Sequence, residues 1–189
     1  MKKKIFILDG PDGTGKTTLA TKLSEIYNIP IFHLTYLQDP EKHADQFYKV
    51  TDKIINWIGN KSEGFIIDRY ILSELVYRKV YRPEQPLIKD ADVMYDFMEH
   101  RAALGEIEVI ITLPYDKDRW FEQFKELEKN REEMYSSEKI SEVYDEYLKH
   151  WKSLRYNKNV MRYDMFENMD GAYKGKIFNI NEQDRNSDK

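Results

Sequence analysis

The segment Ile5–Thr18, IFILDGPDGTGKTT, decides the fold. It opens with four apolar residues, which predict a buried strand, and continues with a match to GxxxxGK[ST] and a helical pattern over Thr17–Tyr27. Glycines let such a loop curl until its backbone N–H groups converge on phosphate oxygens at the helix N-terminus. Lys16 would reach the β- and γ-phosphates, and the Thr17 hydroxyl would bind Mg²⁺. The predicted ATP-binding residues are Gly10, Pro11, Asp12, Gly13, Thr14, Gly15, Lys16, Thr17 and Thr18.

Outward from this loop, short apolar runs alternate with longer amphipathic segments. Continuous apolar strands between helices are typical of a parallel sheet that is covered on both faces, with ligands bound at the carboxyl ends of the strands. The predicted strands are Ile5–Leu8, Ile29–Leu34, Phe65–Ile67, Glu108–Leu113, Val160–Tyr163 and Ile177–Ile180. The predicted helices are Thr17–Tyr27, Glu41–Ile58, Ser73–Tyr81, Ala91–Leu104, Asp116–Met134 and Ser137–Leu154.

An acidic residue ends the third predicted strand. Phe65–Ile67 is followed by Asp68, an arrangement typical of a Walker B element whose carboxylate holds Mg²⁺, usually through water. Arg69 comes next, where a planar and permanently charged guanidinium suits two phosphoryl groups drawn together in transfer. We therefore expect Lys16, Arg69 and Asp68 to carry the chemistry, with Thr17 and Asp68 as metal ligands.

Composition excludes several other classes of protein. The 189 residues include no cysteine, which removes disulfides, thiolate metal sites and a cysteine nucleophile. The formal charge is −4, with 30 Lys and Arg against 34 Asp and Glu, and it argues against a surface that coats nucleic acid. No apolar run approaches the roughly 20 residues that cross a bilayer. The sequence predicts one domain over residues 1–189 in a soluble, cytoplasmic protein.

Two motifs resemble the thymidylate kinase family. They are Leu8–Thr18, LDGPDGTGKTT, and Asp68–Tyr77, DRYILSELVY, which is similar to that family's DRYxxSxxAY signature. The resemblance implies a three-layer P-loop NTPase fold, an α/β structure with a mostly parallel five-stranded sheet, helices on both faces and a helical lid. It also implies transfer of the γ-phosphoryl group of ATP, with Mg²⁺, to a deoxynucleoside monophosphate, dTMP in the first place.

The same resemblance suggests where the acceptor binds. Asp12 would contact its sugar or phosphate, and Tyr77 would pack beneath the deoxyribose and disfavour a 2′-hydroxyl. Tyr70 and Ser73 would line the same pocket. Relatives hold the base with arginines that this chain lacks, which leaves Tyr36 and Phe47 as candidates for stacking on it. The resemblance also suggests a homodimer, because a long helix forms the dimer face in relatives. The predicted helix Glu41–Ile58 is the candidate for that face here.

The lid of the resembling family follows the fourth strand, here at residues 115–136. Thr14 stands where some relatives carry a catalytic arginine, so a lid cation is expected to stabilise the transferred phosphoryl group. The candidates are Arg119, Lys125 and Arg131. Residues 164–189 form a C-terminal extension for which the motifs suggest no defined role.

Three alternatives remain open from the sequence. A deoxynucleoside kinase would need a carboxylate base for a 5′-hydroxyl after the second strand, where Asp39 is the close candidate. A kinase acting on a nucleotide within DNA would need the basic stripe that this chain lacks. A nucleotide-binding regulatory module is the non-enzyme alternative, although Asn157-Lys158-Asn159 lacks the aspartate of a guanine-specific switch.

Overall fold

The computed structural model describes residues 4–60, 63–86, 88–128 and 137–169. Five parallel strands form one sheet in the order β2-β3-β1-β4-β5, with helices on both faces. The strands are β1 Ile5–Asp9, β2 Ile31–His33, β3 Phe65–Asp68, β4 Glu108–Thr112 and β5 Val160–Tyr163. The helices are α1 Lys16–Tyr27, α2 Pro40–Asn60, α3 Ile71–Tyr81, α4 Ala91–Ala103, α5 Lys117–Glu128, α6 Ser137–Leu154 and α7 Met165–Met169. The predicted fold class is confirmed.

The central strand β1 sets the register of the sheet. Every residue of β1 is buried, and it pairs with β3 on one side and β4 on the other, with Leu8 opposite Asp68 and Asp9 opposite Ile111. A strand buried on both faces must be apolar throughout, as Ile5–Leu8 is. The register brings the loop after β1 and the turn after β3 to the same edge of the sheet.

The predicted elements agree with the structure, with small shifts at their ends. The second strand is shorter than predicted, at Ile31–His33, and α3 begins two residues earlier, at Ile71. The structure adds α7, which the sequence patterns did not indicate. The predicted strand Ile177–Ile180 and the last part of the predicted helix Asp116–Met134 lie outside the described residues.

None of the helices in the described part of the chain combines the length and the apolar character needed to cross a membrane.

Candidate active site

A cavity of about 540 Å³ lies at the carboxyl ends of β1, β2 and β3. One end, which we call the P-loop end, is formed by residues 12–13 and 15–18 of the loop and α1 together with Asp68 and Arg69. The other, which we call the aromatic end, is formed by Tyr36, His43, Phe47, Glu74 and Arg82. Ser73, Tyr77 and two side chains of α5 also line it. A volume of this size suits a nucleotide-sized small molecule.

The loop after β1 has the backbone that a phosphate cradle needs. Gly10 has φ +152°, and a Cβ there would overlap the side chain and carbonyl of Thr112 on β4. Lys16 is buried, and its Nζ donates to the carbonyl oxygens of Gly10 at 2.7 Å and Pro11 at 2.5 Å. Burial and the nearby Arg69 guanidinium lower the pKa of Lys16 to about 8. The loop is therefore folded around its own lysine, with the ammonium group at the bottom of the cavity.

Asp12 is held on every side. Its carboxylate forms an ion pair with the Arg69 guanidinium, its N–H donates to the Tyr77 hydroxyl at 2.9 Å, and its carbonyl oxygen accepts from Trp120 Nε1 at 3.1 Å. Burial by itself would raise the pKa of Asp12, but Arg69 and Lys16 outweigh it and hold the pKa below its ordinary value. Asp12 is thus an ionised carboxylate fixed beside two cations.

The turn after β3 places Arg69 in this group. Arg69 has φ +72°, a conformation that few residues other than glycine adopt, and its N–H donates to the Leu8 carbonyl at 2.9 Å. Its guanidinium lies 5.4 Å from the centre of the Tyr77 ring. A left-handed residue at a ligand site is a frequent form of stored backbone strain. The strain here directs Arg69 into the cavity beside Lys16.

Asp9 connects the loop to α3 from below. Its Oδ1 accepts from the Tyr70 N–H at 3.2 Å, the Ser73 N–H at 3.1 Å and the Ser73 hydroxyl, which in turn contacts the Tyr147 hydroxyl at 2.8 Å. Burial raises the pKa of Asp9 to about 6, although these donors oppose the shift. The carboxylate satisfies N–H groups at the start of α3 that the helix itself leaves unpaired, and it fixes the turn that carries Arg69.

Asp68 and Thr17 fit a magnesium ion. Asp68 Oδ2 contacts His33 Nδ1 at 2.9 Å, whereas Asp68 Oδ1 is buried and has no hydrogen-bond partner among the described residues. Both Asp68 and the exposed Thr17 line the cavity. No group of three His, Asp or Glu side chains able to hold a metal ion occurs in the described residues. Mg²⁺ in phosphoryl-transfer sites uses one or two protein ligands with phosphate and water, so these residues are sufficient for it.

The aromatic end is built from side chains of α2, α3 and the loops that flank them. Glu74, on α3, is buried, and its Oε2 contacts His43 Nε2 at 2.9 Å and Arg82 Nη2 at 3.0 Å. The Arg82 guanidinium lies 4.0 Å from the centre of the Tyr36 ring. Phe47 packs edge-on against His43, with ring centroids 5.3 Å apart. Flat aromatic walls therefore surround a charged pair.

Most of the predicted site residues meet at this cavity. Those that line it are Asp12, Gly13, Gly15, Lys16, Thr17, Thr18, Tyr36, Phe47, Asp68, Arg69, Ser73 and Tyr77. Gly10, Pro11 and Thr14 belong to the loop but do not line the cavity. The Thr14 hydroxyl donates to the Pro11 carbonyl at 2.7 Å. Tyr70 does not line the cavity: it is fully buried, and its hydroxyl contacts Thr51 at 2.6 Å. Asp39 does not line it either. Its Oδ1 accepts from the Glu41 and Lys42 N–H groups, so Asp39 is the N-cap of α2.

The predicted lid cations lie elsewhere. Arg119 stacks over Phe166 at 4.1 Å and Lys125 over Phe121 at 4.1 Å, and neither lines the cavity. Arg131 lies outside the described residues. The side chains of α5 that line the cavity are Phe124 and Leu127. This helix is amphipathic, and its apolar face packs on the loop through Trp120 and Phe124. Burial of these aromatic side chains is favourable, so the charged face of the helix is the one left toward solvent.

Sequence reasoning missed four residues of the site. The spacing of Trp120 to Phe124 and Leu127, which marks the apolar face of the predicted helix, is the signal that could have found it. Glu74 sits inside the quoted DRY motif at a position that the motif leaves open. No local pattern singles out His43 or Arg82. All four depend on contacts between elements that are distant in the sequence.

No family model matches the sequence. Among curated proteins, one from Acidianus bottle-shaped virus (isolate Italy/Pozzuoli), described as "Putative thymidylate kinase", is 30% identical over 83 residues, which cover 43% of this chain and 51% of that protein. Deoxyguanosine kinase of Bacillus subtilis (strain 168) is 34% identical over 83 residues, covering 44% of this chain and 38% of that enzyme. The matches therefore span about half or less of these relatives.

A solved structure supports the fold over a longer range. The YorR protein of Bacillus subtilis, crystallised in complex with phosphorylated GDP, superposes with a TM-score of 0.56 at 23% identity, and the match covers 85% of this chain and 84% of that one. The chain has the P-loop NTPase fold that the sequence predicts, with a five-stranded parallel sheet between two layers of helices.

Proposed function

We propose that this protein is an ATP-dependent kinase that transfers the γ-phosphoryl group to a deoxynucleoside monophosphate. One observation carries the proposal: the cavity joins a complete phosphate cradle to an aromatic chamber through Asp12, Arg69 and Tyr77. A donor triphosphate in the loop would then face an acceptor whose base lies among the rings. The likeness of the matched segments to nucleoside and nucleotide kinases supports the same class of reaction.

The roles of the P-loop end follow from charge and position. Lys16 would contact the β- and γ-phosphates once they replace the carbonyl groups that it now contacts. Arg69 would stabilise the charge that develops as the acceptor oxygen approaches the γ-phosphorus and the bond to the bridging oxygen breaks. Asp12, fixed by Tyr77 and Trp120, would keep the Arg69 guanidinium oriented between donor and acceptor. Lys16 and Arg69 would supply the cationic stabilisation that was expected from the lid, since the α5 residues Arg119 and Lys125 do not line the cavity.

Magnesium would be held by Thr17 and by the unpartnered Oδ1 of Asp68. When bound, the ion neutralises charge on the β- and γ-phosphate oxygens. The protein's own part is to hold Asp68 in one orientation through His33.

A monophosphate acceptor suits this cavity because Asp39, the residue expected to act as a general base, does not line it. Its oxygen is already ionised, so it needs no general base, whereas a 5′-hydroxyl would need one. Asp39, the residue expected to act on a hydroxyl, instead caps α2 away from the cavity. The second candidate function, a deoxynucleoside kinase, is favoured by the likeness to deoxyguanosine kinase. The P-loop end is indifferent to the base, so dTMP is one acceptor among several.

The test is a panel of deoxynucleosides and their monophosphates with ATP and Mg²⁺, followed by ADP release and product mass. We expect turnover of at least one monophosphate, and a loss of about a thousandfold in Lys16→Ala. Lys22→Ala, an exposed lysine on the same helix, is the matched control and should leave turnover unchanged. Turnover of nucleosides alone would favour the second candidate. Binding of ATP without ADP release for any acceptor would contradict both and favour a regulatory module.

Homodimer formation through α2 also stays a prediction. Ile55, on this helix, is half exposed, which leaves an apolar side chain available for a partner copy. Light scattering of the wild-type protein and Ile55→Lys would test it, since a dimer that uses this face should dissociate in the variant.

A further inference from the structure

We propose that the aromatic end selects an acceptor whose base carries an exocyclic amino group, read by Glu74 and Arg82. This inference rests on the proposed function for the identity of the ligand as an acceptor. It goes beyond it because the motifs at the P-loop end suggested a thymine nucleotide. The argument depends on which atoms of the Glu74–Arg82 pair are already engaged.

The ionisation state of the pair follows from its neighbours. The Gln46 amide is fixed, because its Oε1 accepts from the Thr35 N–H and its Nε2 donates to the Thr35 carbonyl. The same Nε2 lies 3.0 Å from His43 Nδ1, which also accepts from the Leu37 N–H at 3.3 Å. His43 Nδ1 is therefore an acceptor, which places the ring proton on Nε2.

Glu74 is consequently an acceptor of two donors. His43 Nε2 donates to Glu74 Oε2 at 2.9 Å, and Arg82 Nη2 donates to the same oxygen at 3.0 Å. An oxygen that accepts from an imidazole and a guanidinium belongs to an ionised carboxylate. The Glu74 side chain is only 3% exposed, so this charge is buried at the wall of the cavity.

The second carboxylate oxygen is uncommitted. Both contacts of the Glu74 carboxylate go to Oε2, which leaves Oε1 without a hydrogen-bond partner among the residues that the structure describes. Arg82 donates to Glu74 through Nη2, and its Nε and Nη1 have no hydrogen-bond partner in that same part of the chain. A strong acceptor thus lies beside strong donors, and both residues line the cavity.

Base edges differ in how they match this pair. Adenine and cytosine present an amino group next to a ring nitrogen that accepts, and guanine presents two N–H donors next to a carbonyl oxygen. Each can donate to Glu74 Oε1 while accepting from Arg82. Thymine has one N–H donor, flanked on both sides by carbonyl oxygens. Wherever that donor meets Oε1, a carbonyl oxygen lies close to the buried carboxylate and repels it.

The surrounding rings support a base at this place. Tyr36, under the Arg82 guanidinium, and Phe47, beside His43, give flat apolar surfaces within the same end of the cavity. Aromatic side chains stack on any base, so they hold the ring without choosing among bases. The choice falls to the Glu74–Arg82 pair.

The experiment compares kcat/KM for dAMP, dCMP, dGMP and dTMP, and for the four deoxynucleosides, in wild type, Glu74→Gln and Arg82→Gln. We expect wild type to prefer at least one amino-bearing base over thymine. In Glu74→Gln the amide can donate to a thymine carbonyl, so the ratio of amino-bearing base to thymine should fall by at least about tenfold. Glu25→Gln, an exposed residue on α1, is the matched control and should keep the wild-type ratio.

Each outcome decides the inference separately from the proposed function. A wild-type preference for thymine, or an unchanged ratio in a folded Glu74→Gln protein, overturns the inference while the kinase remains. If Glu74→Gln fails to fold, Arg82→Gln and the wild-type ranking decide instead. If no acceptor is phosphorylated, calorimetry with the four deoxynucleosides still tests the aromatic end. Tighter binding of the amino-bearing bases there supports the inference although the proposed function has failed, and absence of binding overturns both.

Discussion

The two ends of the cavity are built in different ways. At the P-loop end, main-chain groups do most of the holding: Lys16 donates to two carbonyl groups, Asp12 is held through its N–H and carbonyl, and Gly10 and Arg69 have positive φ angles. At the aromatic end, the Glu74, His43 and Arg82 side chains hold one another. Main-chain geometry is the same for every acceptor, whereas side chains can be exchanged one at a time. Under the proposed function, this difference would give phosphate binding to one end and selectivity among bases to the other.

The largest effect is expected at Arg69. Arg69→Ala should lower turnover by at least about a hundredfold, equal to roughly 3 kcal/mol of transition-state stabilisation. Because the proposed partner of Arg69 is the phosphoryl group, which all acceptors share, the loss should be nearly equal for all of them, as initial rates across the panel would show. Lys79→Ala, an exposed residue of α3 that does not line the cavity, is the control. A loss confined to one base would mean that the two ends are not separate in function.

The second prediction concerns how little change the P-loop backbone tolerates. Gly10→Ala should lower the free energy of unfolding by at least about 3 kcal/mol, because the new Cβ overlaps Thr112 and φ is +152°. The comparison is Gly59→Ala on α2, where a Cβ meets nothing within 4 Å. That change should stabilise the protein by less than about 1 kcal/mol. Urea unfolding of both variants measures the contrast, and similar values for the two would refute it.

The third prediction uses the buried carboxylate beneath the P-loop. Since the pKa of Asp9 rises from 3.8 to about 6 on folding, the residue is protonated in both states below about pH 4. Between pH 4 and 6 the unfolded chain loses this proton while the folded protein keeps it, so stability falls with rising pH by about 3 kcal/mol and then levels off.

Asp9→Asn removes this dependence while it keeps an oxygen acceptor for α3. The free energy of unfolding of the variant minus that of wild type should therefore rise from pH 4 to pH 7, as urea titrations at several pH values would show. Asp96→Asn, at an exposed site on α4, should give a nearly flat difference. Parallel curves for Asp9→Asn and wild type would show that burial of Asp9 has no energetic effect.

The smallest effect is expected at Trp120. Trp120→Phe keeps the aromatic packing and removes the donor to the Asp12 carbonyl, a hydrogen bond worth about 1 kcal/mol. Turnover should fall about fivefold for every acceptor, with little change in the ratio among bases. Trp151→Phe, on α6, is the matched control. A changed ratio would place α5 at the aromatic end instead of the P-loop end.

Much of the P-loop end could be predicted from the sequence. The spacing of Gly10, Gly15 and Lys16 is read directly, because neighbours in the chain form the loop and its backbone supplies the contacts. Asp68 and Arg69 follow a strand whose apolar run is equally plain. The prediction that Tyr70 lines the acceptor pocket, which came from the family resemblance, was wrong, because its ring packs near Phe47 and its hydroxyl contacts Thr51 on α2.

The aromatic end and the α5 contact could not be predicted in the same way. Glu74 and His43 are 31 residues apart, and Trp120 and Asp12 are 108 apart, so no local pattern links them. The family resemblance suggested a cationic lid, but the side chains of α5 that reach the cavity are Phe124 and Leu127, and Phe124 lies against Gly13.

The sequence by itself determined the P-loop NTPase fold, the glycine-rich loop with Lys16 and the position of Arg69 beside it, since each depends on residues that are adjacent in the chain or on strands with clear apolar patterns. Only the tertiary structure decided which carboxylates meet which cations, that Asp39 is a helix cap, and that Glu74 offers one uncommitted oxygen to the cavity. The physical reason is that burial and ion pairing depend on distance in space. That distance is fixed when α2, α3 and α5 pack together around the edge of the sheet.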